Sequence, residues 1–131
     1  MVDSLTASAT VDYGFPDVIA HNGSLYVAYL KLTSATPAIL PYVRQLGSAY
    51  ESISGAAETL ATSGANAMEW GIASGGLFSE GDLCLWADQD GSLYVAGLDH
   101  DAAGGALKEM MISRSADDGD TWDTVGSSSA G

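Results

Sequence analysis

The residue types best suited to chemistry stand together at Asp99-His100-Asp101. Two carboxylates beside an imidazole supply the groups needed for acid–base steps or for holding a cation. A solvated loop without a function would also account for these residues, so both interpretations stay open. Trp70 is a further candidate, because an indole ring can stack on a sugar ring or pack into a core.

Metal and cofactor sites are not predicted. The acidic residues near Asp88 and Asp90 fail the EF-hand pattern, which needs an acidic first position and a Glu at the twelfth. Counting from Trp86 places Trp86 and Gly97 at those positions. We therefore expect no metal site, no catalytic residue set and no cofactor in this chain.

The lone cysteine, Cys84, excludes an internal disulfide and a cluster of thiolates. It lies in the apolar run Leu83-Cys84-Leu85-Trp86, and no base adjoins it in the sequence. This pattern predicts a buried, unreactive thiol rather than a nucleophile.

The composition favours one domain of short strands. A chain of 131 residues can hold one core, and 16 glycines with 47% apolar residues suit strands joined by tight turns. The formal net charge of −13 disfavours nucleic acid and anionic membranes as partners, whereas cations, neutral sugars and basic proteins remain open. The sequence shows neither an apolar run of about 20 residues nor the basic start of a signal peptide.

The chain contains an internal repeat. Residues 22–30 return as residues 90–98, and from the glycine onward the only change is Tyr29 against Gly97. Asn-Gly and Asp-Gly supply the positive φ angles of type I′ hairpin turns, so each copy predicts strand, turn and strand. A third strand is predicted in each copy, at residues 38–45 and 107–114.

The most specific motif is Ser115-Ala116-Asp117-Asp118-Gly119-Asp120-Thr121-Trp122. An Asp side chain can accept hydrogen bonds from nearby backbone N–H groups, a glycine can turn left-handed, and the hydroxyl groups can fix the turn. The motif resembles the Asp-box, or BNR repeat, of sialidase-like β-propellers at all five defining positions: Ser115, Asp117, Gly119, Thr121 and Trp122. In that family the box is a folding device between the third and fourth strands of a blade.

The resemblance implies an all-β fold with about two four-stranded antiparallel blades of an Asp-box propeller. The first blade-like repeat spans residues 14–54, with a decayed box at residues 44–50, and the second spans residues 82–125. The link at 55–81 contains a faintly helical stretch at 57–60 and an extra strand within 67–74. Residues 126–131 read as a flexible tail, and residues 1–131 form one unit.

Strand parity indicates where a ligand would bind. The connections between strands one and two and between three and four lie at one end of a meander, which here holds the Asp-Gly turn and the box. In sialidase-like propellers the ligand site lies at the opposite end. The candidates at that end are Thr33, Ser34 and Thr36 from the first copy, Asp99, His100 and Asp101 from the second, and Trp70 from the link.

Sialidases bind a substrate carboxylate with three arginines, but this chain has only two. Arg114 adjoins the box and Arg44 its decayed counterpart, so both are expected at the end opposite the ligand site. We therefore predict a non-catalytic module, extracellular or on a virion surface, that binds glycans or a protein partner. The alternative is a fragment of a sialidase-like glycoside hydrolase. Since two blades cannot close a ring, further blades must come from a longer chain or from copies, such as three chains forming six blades.

Overall fold

Ten β-strands account for most of the described chain. The computed structural model describes residues 11–33, 39–47, 56–62, 71–74, 77–100 and 108–128. Strands form two four-stranded antiparallel sheets and one two-stranded sheet, which confirms the all-β prediction. In this part of the chain, no helix has the length and hydropathy that crossing a membrane requires.

Each four-stranded sheet is a meander whose strands lie side by side in chain order. The first sheet contains β1 (Val11–His21), β2 (Ser24–Thr33), β3 (Ile39–Leu46) and β4 (Glu58–Leu60). The second contains β7 (Leu83–Ala87), β8 (Leu93–His100), β9 (Lys108–Ser115) and β10 (Asp123–Ser128). Between them in sequence lies the hairpin of β5 (Gly71–Ser74) and β6 (Leu77–Gly81).

The two large sheets pack face to face, because one face of each carries mostly apolar side chains. The first sheet turns Tyr26, Ala28 and Leu30 inward, whereas the second turns Leu93 and Val95 inward. The remaining members of this core cluster are Leu32, Ile39, Val43, Ala61, Leu85, Met111 and Trp122. Successive strand residues point to opposite faces, so the duplicated hairpin uses one face in the first copy and the opposite face in the second.

The duplicated hairpins close with different turns. Asn22 and Gly23 have φ angles of 49° and 78°, which confirms the predicted type I′ turn. The same prediction for Asp90-Gly91 is wrong, because of this pair only Gly91 has positive φ. Gly91 donates its N–H to the carbonyl of Asp88, as in a type I turn followed by a glycine bulge. In the first copy the strands pair up to His21, whereas β7 stops at Ala87 and leaves a wider loop.

Strand boundaries differ from the expected ones around the link. The fourth strand of the first sheet, β4, lies beyond residue 54, and the stretch interpreted as faintly helical is this strand. Pairing explains the difference, since Val43 and Arg44 on β3 lie opposite Thr59 and Glu58. The third strands fall within one residue of their predicted positions. β5 lies inside the predicted extra strand, and β10 continues into the segment predicted as a tail.

Cys84 is exposed, so the prediction of a buried thiol is wrong. Strand β7 turns Leu83, Leu85 and Ala87 toward the core, and the alternation of a strand places Cys84 and Trp86 on the other face. The run looked like a buried strand because both of its faces are apolar.

Candidate functional site

The predicted ligand end contains three residues that the structure describes. Thr33 is the last residue of β2 and is half-buried. Asp99 and His100 end β8, where they pair with Glu109 and Lys108, so they belong to a strand rather than to the predicted loop. Pairing continued past the expected loop start because β9 runs back to Lys108. Ser34, Thr36, Asp101 and Trp70 lie outside the described residues.

Strand direction confirms the two-end arrangement. Strands β2 and β8 both begin at the end that carries the turn at residues 115–122, because Leu93 pairs with Ser115 and Gly119 lies against Tyr26. Thr33 and His100 end those two strands. They therefore lie at the opposite end of the sheets from the 115–122 turn.

The 115–122 turn is closed by its own side chains. Ser115 is 1% exposed; its Oγ donates to Asp117 Oδ1 at 2.8 Å and accepts the N–H of Gly119 at 2.9 Å. The Asp117 carboxylate accepts the N–H of Thr121 at 2.9 Å and also the Thr121 hydroxyl. Trp122 is buried and donates its indole N–H to the carbonyl of Gly119 at 3.0 Å. Each of the five motif positions therefore makes a contact within the turn, and the Trp122 ring also joins the core.

The same hydrogen bonds control the ionisation of Asp117. The Thr121 hydroxyl, the Thr121 N–H and the Ser115 hydroxyl all stabilise the carboxylate, so the pKa of Asp117 is lowered. Gly119 has a φ of 92°, which a glycine adopts without strain. A Cβ placed on Gly119 would lie 3.6 Å from Cε1 of Tyr26. The turn of the second sheet therefore packs on a buried tyrosine of the first.

A second polar constellation lies on the face of the first sheet that is turned away from the core. Tyr29 donates its hydroxyl to Glu58 Oε2 at 2.7 Å and accepts the Nε–H of Arg44 at 2.6 Å. Arg44 also donates to Glu58 Oε2 at 2.9 Å and to the carbonyl of Ala56 at 2.8 Å. Lys31 donates to the other Glu58 oxygen, so one carboxylate joins two cations and a phenol.

Burial and hydrogen bonding fix the protonation of this network. Burial raises the pKa of the Tyr29 phenol well above its usual range, so the phenol is neutral at physiological pH. Burial alone would raise the pKa of Glu58. The hydrogen bonds that its carboxylate accepts from Lys31, Tyr29 and Arg44 have the larger combined effect, so the pKa of Glu58 is lowered. Glu58 is therefore ionised, and its two oxygens accept three donors.

Sequence reasoning missed this network. The signal that could have found it is Tyr29, the one position that changes after the turn glycine of the duplicated hairpin, where the second copy has Gly97. The register also corrects the expected position of Arg44. Arg44 lies opposite Val27, so its counterpart in the second sheet is Ser113, and Arg114 corresponds to Gln45. Arg114 lies near the 115–122 turn as predicted and donates to Ser92 at 2.7 Å.

The two sheets leave two outer faces, which differ in character. The first outer face, on the first sheet, carries the Tyr29 network together with Val18, Leu25 and Val27. The second outer face, on the second sheet, is mainly apolar. It contains Cys84, Trp86, Tyr94, Met110 and Ile112.

Among the described residues, no group of three or more His, Cys, Asp or Glu side chains is placed to hold a metal ion. Comparison with known proteins found no match among family models, curated proteins or solved structures. Function must therefore be inferred from the residues and their geometry.

Proposed function

We propose that this chain is a non-catalytic recognition module made of two blades of an Asp-box, sialidase-like β-propeller. It binds glycans or a protein partner, outside the cell or on a virion surface. The observation that carries the proposal is the 115–122 turn, whose serine, aspartate, glycine, threonine and tryptophan make the contacts that their spacing predicts. Two stacked four-stranded meanders agree with two neighbouring blades.

The protonation of the Tyr29 network favours a binding role over a catalytic one. A tyrosine nucleophile must lose its proton to a nearby base, and Glu58 is the carboxylate that accepts its hydrogen bond. Lys31 and Arg44 lower the pKa of Glu58 and make it a weak base. Arg44 is the one arginine in the network, so the cluster does not reproduce the three-arginine clamp of sialidases.

The ligand surface proposed for the module is the end opposite the 115–122 turn. Thr33, Asp99 and His100 lie there at strand ends, and Ser34, Asp101 and Trp70 are the sequence candidates for the same site. Polar side chains and an indole are the groups that recognise neutral sugars, which the strongly negative chain does not repel.

A glycan array probed with the purified 131-residue chain tests this function. The expected result is saturable binding to a defined set of glycans, weakened by Asp99→Asn and His100→Gln. Asp118→Asn is the matched control, because Asp118 belongs to the turn at the other end. Unchanged binding in the Asp99 and His100 variants, with binding lost in the control, would place the site elsewhere and contradict the proposal.

A fragment of a sialidase-like hydrolase is the second candidate function. One observation favours it: Tyr29 and Glu58 are hydrogen-bonded at 2.7 Å, and sialidases use a Tyr and Glu pair as the nucleophile. Arg44, the residue type with which sialidases bind the substrate carboxylate, donates to Tyr29. A fluorogenic sialoside assay separates the two functions. Turnover that disappears in Tyr29→Phe supports the hydrolase, whereas glycan binding without turnover supports the module.

A further inference from the structure

The second outer face exposes large apolar side chains. Trp86 is 37% exposed and Met110 is 49% exposed, and Cys84 lies beside them. The Trp86 and Tyr94 rings stack with their centroids 5.1 Å apart and an angle of 6° between their planes, so they form one aromatic pair on this face. Exposed apolar side chains grouped on one face are characteristic of interaction sites.

The repeat and the strand register show that the second outer face corresponds to the inner face of the first sheet. Tyr94 and Ala96 are the repeat counterparts of Tyr26 and Ala28, which face the core on the first sheet. The two tyrosines also occupy the same position in their sheets, because Tyr26 pairs with Gln45 and Tyr94 pairs with Arg114. In the first sheet this surface is covered, and Tyr26 is only 1% exposed.

The packing inside the chain shows which kind of surface covers a face with this pattern. The first sheet's tyrosine face is covered by the inner face of the second sheet, to which Leu85, Leu93 and Val95 contribute. Corresponding side chains occur on the first outer face at the same register positions, namely Val18, Leu25 and Val27. Val18 is 57% exposed there. The chain therefore carries apolar counterparts of both partners of a contact that it already makes once internally, with Tyr29 and Arg44 on the first outer face where the inner face of the second sheet has Gly97 and Ser113.

We infer that the second outer face binds the first outer face of another copy of this chain, head to tail. The inference shares with the proposed function the premise that the two sheets are blade-like repeats. Because the contact joins two different surfaces, each added copy leaves one of each free until the ring closes. Closed rings of four to eight sheets are typical of propellers, so two to four chains complete a ring.

Charge also favours this pairing over contact between two like faces. Among the described residues, the first outer face carries Lys31, Arg44 and one carboxylate, which makes it locally positive in a chain of net charge −13. Of the side chains that the structure describes on the second outer face, one is a cation, Arg114, which lies over the Tyr94 ring. Three exposed carboxylates outnumber it: Asp82 and Asp88 flank the edge strand β7, and Asp123 pairs with Arg114. Head-to-tail docking brings these opposite charges together, whereas docking of two second faces would oppose acidic edges.

Native mass and thiol reactivity test the inference on the unmodified chain. We expect light scattering to give a discrete multiple of the 13.4 kDa chain mass, falling toward one chain on dilution. Cys84 is the one cysteine in the sequence, so its rate of reaction with an aromatic disulfide reports whether the second outer face is covered. That rate should rise by about tenfold or more as the assembly dissociates.

Two single-face variants test the direction of the contact. Trp86→Glu blocks the second outer face and Val18→Glu blocks the first, and both positions are exposed enough to accept the change in a folded chain. Each variant alone should be monomeric. Their mixture should form a dimer, because the intact second face of one can bind the intact first face of the other. Ala116→Glu, exposed in the 115–122 turn, is the control and should assemble normally.

The outcomes are decisive. A wild-type chain that stays monomeric with a fully reactive Cys84 at high concentration would overturn the inference. So would a Val18→Glu variant that still dimerises, since that would mean contact between two second faces. If Trp86→Glu loses its circular dichroism spectrum, Met110→Glu on the same face replaces it. These readouts need no ligand, so a negative glycan array with a normal assembly would reject glycan binding and leave this inference standing.

Discussion

The Asp17 carboxylate accepts the backbone N–H of Leu85 at 2.8 Å and so ties the first strand of one sheet to the first strand of the other. Its other oxygen accepts the N–H of Val18 at 2.8 Å. Strand β7 is an edge strand, and this contact satisfies a backbone donor that has no partner strand on that side. The two sheets are therefore joined by a polar contact as well as by the apolar core.

Loss of the Asp17 contact should weaken the packing of the two sheets. We expect Asp17→Ala to lower the free energy of unfolding by about 1–2 kcal/mol, and Asp17→Asn by less, because its amide oxygen can still accept one bond. Asp12→Ala is the matched control, since Asp12 accepts only the adjacent N–H of Tyr13 in the described structure. Urea denaturation followed by tryptophan fluorescence measures all three. Equal losses at Asp12 and Asp17 would contradict a special role for the link between sheets.

The 115–122 turn should depend on the ionised carboxylate of Asp117. In Asp117→Asn the amide cannot accept all the bonds that the carboxylate accepts, so we expect the Tm at neutral pH to fall by several degrees. Asp118→Asn, the same change one residue along, should leave the Tm nearly unchanged, because Asn tolerates the positive φ of 57° at that position.

The pH dependence of this effect follows from the lowered pKa of Asp117. Its stabilising contribution is present above the unfolded pKa, about 4, and is lost as pH falls through the lower folded pKa. The Tm difference between wild type and Asp117→Asn should therefore shrink on acidification below about pH 4. Thermal melts over an acidic pH series measure it, and a difference that stays constant to the lowest pH would rule out the carboxylate as its cause.

Glu58 should be the most sensitive member of the Tyr29 network. Glu58→Gln leaves Lys31 and Arg44 without their shared counter-charge, and Arg44 has a side-chain exposure of only 11%. We expect a loss of about 2 kcal/mol in the free energy of unfolding. Asp123→Asn, which neutralises an exposed carboxylate on β10, serves as the comparison and should cost much less. A loss no larger than this control would mean that the network contributes nothing to stability.

Alkaline pH should destabilise the chain through Tyr29. Because its folded pKa is raised, the contribution of the neutral phenol is fully present below the unfolded pKa of about 10 and is lost as pH rises toward the folded value. Tyr29→Phe should therefore show a flatter decline of Tm above about pH 10 than wild type. Tyr42→Phe, a neighbouring ring on the same face, is the control. Identical pH slopes in wild type and Tyr29→Phe would refute this assignment.

The parts of the molecule that sequence reasoning predicted well are local. The 115–122 turn depends on contacts within eight residues, so its spacing was enough to predict the roles of Asp117 and Gly119. The Tyr29–Glu58 contact joins residues 29 positions apart, across a segment whose fourth strand was not recognised. No local pattern marks such a pair, because the β2–β3 and β3–β4 registers together bring the two residues into contact.

The smaller errors in the predictions from the sequence also have specific physical causes. The Asp90-Gly91 pair looked like the Asn22-Gly23 pair, but the first hairpin pairs up to its turn and the second does not, which changed the turn type. Cys84 was misplaced because a strand with two apolar faces gives no sign of which face is inside. Asp99 and His100 were expected in a loop but lie in β8. The length of a paired strand depends on its partner as well, and β9 begins early enough, at Lys108, to pair with both residues.

The chain-order pairing of the strands also affects biosynthesis. Because each strand of a meander pairs with the one made just before it, the first sheet can form completely while the rest of the chain is still on the ribosome. Its tyrosine-bearing inner face, however, has no cover until β7 to β9 emerge. A nascent chain stalled before residue 83 should therefore bind chaperones and aggregate, and release of the second sheet should end both.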